Sequence, residues 1–269
     1  WDTQNGRNIT PKWLQNMQWA VFGSGTDDLL TVDREGKLAV WDTKHLNDDR
    51  TVPQPIRGID ADPLRRMAAL SPDGKWIAAS RGDRGQIWMR DDPQAAPREL
   101  VGHKGDIQSL QFSRDGKWLL TASADRTALI WHVEREDPPK ELKGGHSAAL
   151  FSASFHPDGK LVVTGSADRT IGVWNADSAQ LLTSLEWHTE GVNAVAFSNQ
   201  GDWILSASDD GSVRLGRCEA CTLSVEALKA LVPERARLPQ HELDQVRKEI
   251  EAGMIHRTVL GFFRTLTGG

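Results

Sequence analysis

One spacing recurs along most of this chain, and it limits the possible folds more than composition does. An apolar residue that closes a first strand returns at Phe22, Leu70, Phe112, Phe155 and Phe197, at intervals of 48, 42, 43 and 42 residues. A tryptophan that closes a third strand returns at Trp41, Trp88, Trp131 and Trp174, at intervals of 47, 43 and 43. Two markers of different kind keep one period, close to the roughly 40–45 residues of a four-stranded propeller blade. Such a unit cannot bury its apolar face alone, so neighbouring units must supply the core.

Each unit reads as strands joined by tight turns. Residues 107–112 alternate apolar and polar, as a half-buried strand does. Ser113-Arg114-Asp115-Gly116 makes a hairpin turn whose glycine supplies a positive φ. Residues 118–123 form a second strand, Asp125-Arg126 the next turn and residues 127–131 a third strand. Later residues repeat the scheme with His156-Pro157-Asp158-Gly159 and Ala167-Asp168-Arg169-Thr170, and Ser71-Pro72-Asp73-Gly74 anticipates it. Helical periodicity is absent before about residue 222.

Charge and cysteine content narrow the setting. The formal net charge of −5 argues against an extended nucleic-acid surface, which needs a basic face. Two cysteines cannot form a disulfide framework, so a reducing, cytoplasmic compartment is expected. No apolar run reaches the roughly 18 residues of a membrane span.

These units resemble WD repeats. In that family a blade opens on Gly-His, passes through F-S-P-D-G and S-x-D-x-T, and closes on Trp-Asp. Here Gly102-His103, Gly145-His146 and Trp187-His188 stand as openings. Trp1-Asp2 and Trp41-Asp42 stand as closings, with Trp131-His132 and Trp174-Asn175 as near matches. The resemblance covers about residues 1–216. It implies an all-β fold, a WD-repeat β-propeller with five complete three-strand units and part of a sixth, and a short α-helical tail. The expected domains are residues 1–221 for the propeller and 222–269 for the tail.

The resemblance also implies a buried hydrogen-bonded chain in each regular blade. In the third unit it joins His103, Thr121, Asp125 and Trp131; in the fourth, His146, Thr164, Asp168 and Trp174; in the fifth, His188, Ser206 and Asp210. A histidine, an aspartate and a hydroxyl are also the parts of a hydrolase triad. The set recurs unit after unit where packing needs it, so a structural role is expected and no catalytic residue is assigned. Three units depart from the pattern. The second has Ala61 for the histidine and Ala79 for the hydroxyl, the first has Trp13 and Glu35, and the fifth has Gly216 for the tryptophan. Such units are expected to lean on their neighbours.

Trp1-Asp2 reads as the end of a third strand whose partners are not in the sequence, so a larger ring with chain upstream is expected. In the alternative, residues 4–10 donate the outer strand of a five-bladed ring. Beyond the last unit, Cys218 and Cys221 form a C-x-x-C pair, read as two ordinary thiols because further zinc ligands and a βαβ context are lacking. Ser224 caps a helix ended by Pro233, Pro239 opens a second with a Leu243, Val246, Ile250 stripe, and an apolar stretch follows from Ile255 to Leu266. This passage resembles the carboxyl end of bacterial multidomain proteins that carry a STAND-type NTPase, or a protease or kinase domain, ahead of WD repeats. The chain itself has no G-x-x-x-x-G-K-[ST], and Gly23-Ser24-Gly25 is read as a hairpin loop.

The expected function is therefore recognition and scaffolding without catalysis or cofactor. The partner would be a protein or an upstream domain of the same polypeptide, not nucleic acid or a membrane span. Partner-binding candidates lie in the loops that open each blade and the turns after each second strand: Lys104, Asp106, Gln108, Arg126, Phe151, Arg169, Glu190 and Asn193. Phe151 and Arg169 are the expected anchors. Two alternatives are a ligand or enzymatic site at the central channel, and nucleic-acid binding through Arg34, Arg84, Arg126 and Arg169. In the second case, acidic neighbours make solvated turns the preferred reading.

Overall fold

The computed structural model describes residues 17–23, 27–35, 37–42, 54–60, 68–92 and 96–218. Within them nineteen strands form five antiparallel sheets, and no helix occurs. Packing divides the chain into two compact units, one on each side of Leu100. The expected tail at 222–269, the Trp1-Asp2 closing and residues 4–10 lie outside the described residues.

The first unit holds two sheets. One comprises β1 (Met17–Phe22), β2 (Asp28–Asp33), β3 (Lys37–Asp42) and β4 (Gln54–Asp60), paired in that order. The other comprises β5 (Ala68–Leu70), β6 (Trp76–Arg81), β7 (Arg84–Met89) and β8 (Arg98–Leu100). Leu30, Val32, Leu38 and Val40 pack with Leu70, Ile77 and Trp88 in one core. Beside that core Arg90 grips Asp28 with two hydrogen bonds of 2.6 and 3.1 Å, a bidentate pair joining the two sheets.

The second unit holds three sheets. Strands β9 (Ile107–Phe112), β10 (Trp118–Ser123), β11 (Ala128–His132) and β12 (Lys140–Leu142) make the first. Strands β13 (Leu150–Phe155), β14 (Leu161–Ser166), β15 (Ile171–Asn175) and β16 (Leu181–Leu185) make the second. Strands β17 (Val192–Phe197), β18 (Trp203–Ser208) and β19 (Val213–Arg217) make the third, which has no fourth strand among the described residues. The fourth strands elsewhere were not located by the sequence pattern. Two of the three outside the first sheet are three residues long, too short to show a period.

The turns follow directly from local chemistry. Ser113 Oγ donates to Asp115 Oδ1 (2.6 Å) and accepts from Trp118 N–H (3.0 Å), while Gly116 takes φ 72° to close the hairpin. Ser71, Asp73 and Gly74 repeat the arrangement. In the fourth sheet His156 replaces the serine, and its Nδ1 lies 2.6 Å from Asp158 Oδ1.

The first strands β9, β13 and β17 lie side by side and point the same way. Phe155 N–H donates to Gln111 Oε1 (2.7 Å) near the ends of β13 and β9. Val195 N–H donates to Ser152 Oγ (3.2 Å), and His156 sets its ring edge against Phe197. All three opening loops therefore gather at one end of the unit.

Candidate functional site

Three buried polar chains sit beneath that end. In the third sheet Trp131 Nε1–H donates to Thr121 Oγ1 (3.0 Å), which lies 2.7 Å from His103 Nε2. His103 Nδ1 lies 2.9 Å from Asp125 Oδ2. The fourth sheet places Trp174, Thr164, His146 and Asp168 at 2.8, 2.7 and 3.1 Å along the same path. The fifth places Ser206, His188 and Asp210 at 2.7 and 2.9 Å. The structure thus brings together each of the three sets named from the sequence.

One proton arrangement satisfies every contact with a neutral imidazole: His Nδ1–H donates to the aspartate, and His Nε2 accepts from the hydroxyl, which in the third and fourth sheets accepts in turn from the tryptophan. Burial holds His146 below its usual pKa, outweighing the opposite pull of the Asp168 charge and hydrogen bond. Burial lowers His188 too, against its hydrogen bond and attraction to Asp210. Burial pushes the Asp125, Asp168 and Asp210 carboxyls up, but donors overcome it and leave all three below the usual value. For Asp168 those donors include the Thr170 hydroxyl and the Ser147 and Thr170 N–H groups.

A triad needs a hydroxyl that substrate can reach. Thr121 and Thr164 are 0% exposed and Ser206 is 1% exposed, so the hydroxyls are sealed inside the sheets. What the arrangement does is close each blade: the aspartate ties the opening loop to the turn between the second and third strands. Leaving one of these buried groups unpaired would cost about 1–3 kcal/mol.

The irregular units differ in how they compensate. In the first, Trp41 Nε1–H still reaches Thr31 Oγ1 (2.8 Å), and Asp33 Oδ1 closes the turn by accepting from Glu35 and Lys37 N–H. In the second, Ala79 leaves Trp88 Nε1 buried with no partner among the described residues. Its turn is also shorter, since Arg81 pairs with Arg84 across Gly82-Asp83. Arg84 is therefore a strand residue, not an equivalent of Arg126. Trp13 and Ala61 lie outside the described residues. In the fifth, Trp187 occupies the space above Gly216.

Above the chains the backbone carries a repeated irregularity. Ile107 pairs with Ser123 and Ser109 with Ala122, so Gln108 is an extra residue in the first strand. Phe151 is skipped in the same way between Leu150 and Ser152, and Asn193 between Val192 and Ala194. Each is a β-bulge, a device that re-aims one side chain and is common beside functional sites. The bulge is held in place by a serine: Ser123 Oγ donates to Gly105 O, Ser166 Oγ to Ala148 O and Ser208 Oγ to Glu190 O.

The remaining candidates surround these bulges. Lys104, Arg126, Arg169 and Glu190 are exposed, while Asp106, Gln108, Phe151 and Asn193 are half-buried. Asp106 O accepts from Ala124 N–H (2.9 Å), which binds its loop to the turn carrying Arg126. Asn193 hydrogen-bonds Asp209, an exposed residue of the same rim that sequence reasoning passed over. The signal was the Asp209-Asp210 pair, in which only the second aspartate fits the structural chain. Phe151 lies against the next sheet, close enough that a Cβ at Gly191 would sit 3.7 Å from its ring. Arg126 and Arg169 hold φ of 73° and 77°, a left-handed backbone that costs a non-glycine residue about 1 kcal/mol.

One cysteine departs from the expectation of ordinary thiols. Cys218, 2% exposed and packed with Ile204 and Trp187, is disulfide-bonded. Cys221, the one other cysteine of the sequence, lies outside the described residues. No cluster of three or more His, Cys, Asp or Glu side chains suited to a metal ion occurs among the described residues. Nor is any helix there long and apolar enough to cross a membrane.

The model for the WD domain, G-beta repeat, matches residues 96–132, 138–175 and 179–215, three consecutive copies. The match falls on the three sheets of the second unit, together with the β8 strand before them. A search of curated proteins finds no match.

Proposed function

We propose that this chain is a protein-recognition and scaffolding module that acts by binding, through the end where its blades open. WD repeats generally mediate interactions between proteins, and three copies are present. The observation that carries the reading is the bulge repeated at Gln108, Phe151 and Asn193. Four of the five sheets break their ladder at this one position, and the last three hold the break with a buried serine. The strands need no such break to form a core, whereas a recognition surface gains three re-aimed side chains on a rigid frame. The His–Asp–hydroxyl chains beneath supply the rigidity, and we assign them no catalysis.

The module is further proposed to serve a larger bacterial protein with a STAND-type NTPase or another effector domain. Support comes from the resemblance of the passage beginning at Arg217-Cys218 to the carboxyl ends of such proteins. A cytoplasmic setting is part of this proposal: the low cysteine count supports it, and the Cys218 disulfide weighs against it. The propeller is assigned residues 1–221 and a helical tail 222–269, and the tail is the competing surface.

The test is a pull-down with the full-length protein, comparing Phe151→Ala plus Arg169→Ala with deletion of residues 222–269. Loss of partner with the double substitution supports recognition at the opening end. Loss with the deletion alone moves recognition to the tail.

A further inference from the structure

We propose that the opening end of the third and fourth sheets docks an acidic protein segment, whose carboxylates pair with Lys104, Arg126 and Arg169. The inference rests on the recognition reading above and gives the partner its chemistry.

It starts from the two arginines. Equivalent turns of the three sheets hold Arg126, Arg169 and Gly211 at φ 73°, 77° and 75°. The turn therefore requires a left-handed residue, and glycine meets the requirement without strain. Two of three turns keep an exposed arginine instead, retaining strain in a place where its side chain meets solvent. Strain of this kind persists where a function uses it.

Neither arginine is paired with the aspartate of its own turn. Asp125 and Asp168 precede them in sequence and would be natural partners, which is why the sequence alone favours solvated turns. In the structure those carboxylates face inward and are saturated. Asp125 accepts from Thr127 N–H, the Thr127 hydroxyl, Lys104 N–H and His103. Asp168 accepts from Thr170 N–H, the Thr170 hydroxyl, Ser147 N–H and His146. Neither arginine, nor Lys104 Nζ, makes an ion pair with a carboxylate among the described residues. An unpaired guanidinium offers a planar fork of donors that matches a carboxylate in two parallel hydrogen bonds.

Sign changes along the rim set the direction of the segment. The fifth sheet has Gly211 at the arginine position and carries exposed Glu190 and Asp209. Acidic side chains of the partner belong over the third and fourth sheets, and its basic or neutral residues over the fifth. Phe151, the bulged residue of the fourth sheet, lies where the two regions meet and offers an apolar contact. A nucleic acid would meet the acidic fifth sheet along a uniformly charged backbone, so the mixed rim favours protein.

The experiment measures fluorescence anisotropy of the full chain with a labelled Glu/Asp-rich peptide, its Gln/Asn counterpart and a labelled single-stranded oligonucleotide. The acidic peptide should bind at least about tenfold tighter than the amide peptide. Arg126→Gly with Arg169→Gly should remove that preference while the urea midpoint stays level or rises, since glycine relieves the positive φ. Equal binding of the two peptides, or a variant that keeps the preference, overturns the proposal, and tighter binding of the oligonucleotide reassigns the cations to nucleic acid. The pull-down above separates the two levels. If the acidic peptide is ignored but Phe151→Ala plus Arg169→Ala still abolishes partner capture, the acidic chemistry falls and recognition at this end stands.

Discussion

Trp187 lies over Gly216: a Cβ built on that glycine would come within 2.3 Å of the indole. In the third and fourth sheets the relationship is reversed. Gly102 and Gly145 precede the histidine, and their Cβ positions would meet the rings of Trp131 and Trp174 at 3.1 and 2.6 Å. The glycine and the tryptophan have exchanged places in the fifth sheet, and one indole fills the space in each case. The fifth unit thus fills the place of the missing tryptophan from its own opening loop, while its core remains shared with the fourth sheet, as expected of an irregular unit. The price of the exchange is one hydrogen bond, because Ser206 loses the indole donor that Thr121 and Thr164 have.

The exchange predicts a rescue. Trp187→Gly should lower stability by about 3–5 kcal/mol through the cavity it opens, and Gly216→Trp should lower it through overlap with Trp187. Combining them should recover most of the loss, since each substitution removes the fault of the other. A double-mutant cycle from urea unfolding measures the coupling. Additive losses would show that the two positions do not share one space.

The orphaned indole of the second sheet predicts a gain. Ala79 stands where the other sheets carry Thr31, Thr121, Thr164 or Ser206, opposite a third-strand residue two before the tryptophan, or two before Gly216 in the fifth sheet. Ala79→Ser should give Trp88 Nε1–H an acceptor and raise stability by about 1 kcal/mol. A fall in the thermal midpoint would mean that the site has no room for the hydroxyl.

Repeat period, turn chemistry and the three polar sets could be read from residues alone because each is local or recurs at a fixed offset. Four features could not. The bulges at Gln108, Phe151 and Asn193 depend on register against a partner strand, and neither residue type nor alternation marks them. The three-residue strands Arg98–Leu100 and Lys140–Leu142 are too short to carry a pattern. The exchange of Trp187 and Gly216 is invisible until both face one space, although their joint departure from the repeat was a signal. The freedom of Arg126 and Arg169 depends on which way Asp125 and Asp168 turn, and adjacency in sequence pointed to the opposite conclusion.

Stability should fall with acidification in two stages. His146 and His188 are held below the ordinary histidine value of 6.5, so the unfolded chain binds protons that the folded chain resists. Their contribution is present above that value and is lost as pH falls below it. Asp73, Asp125, Asp158, Asp168 and Asp210 lie below the ordinary 3.8, so their contribution persists in mild acid and is lost lower still. Urea midpoints from about pH 8 to about pH 3 should decline first near the histidine range and again in strong acid. A midpoint that rises between about pH 7 and about pH 5 would contradict the neutral-histidine arrangement.

The central claim is that the buried His–Asp–hydroxyl chains hold the blades while the residues above them bind. His146→Ala tests it most directly, with urea unfolding and partner pull-down measured on the same protein. The account predicts a loss of about 1–3 kcal/mol, because Asp168 and Thr164 lose their shared partner, together with partner capture unchanged wherever the variant is folded. Undiminished stability accompanied by loss of a chemical activity or of partner capture would contradict it, and would place His146 in the function rather than in the frame.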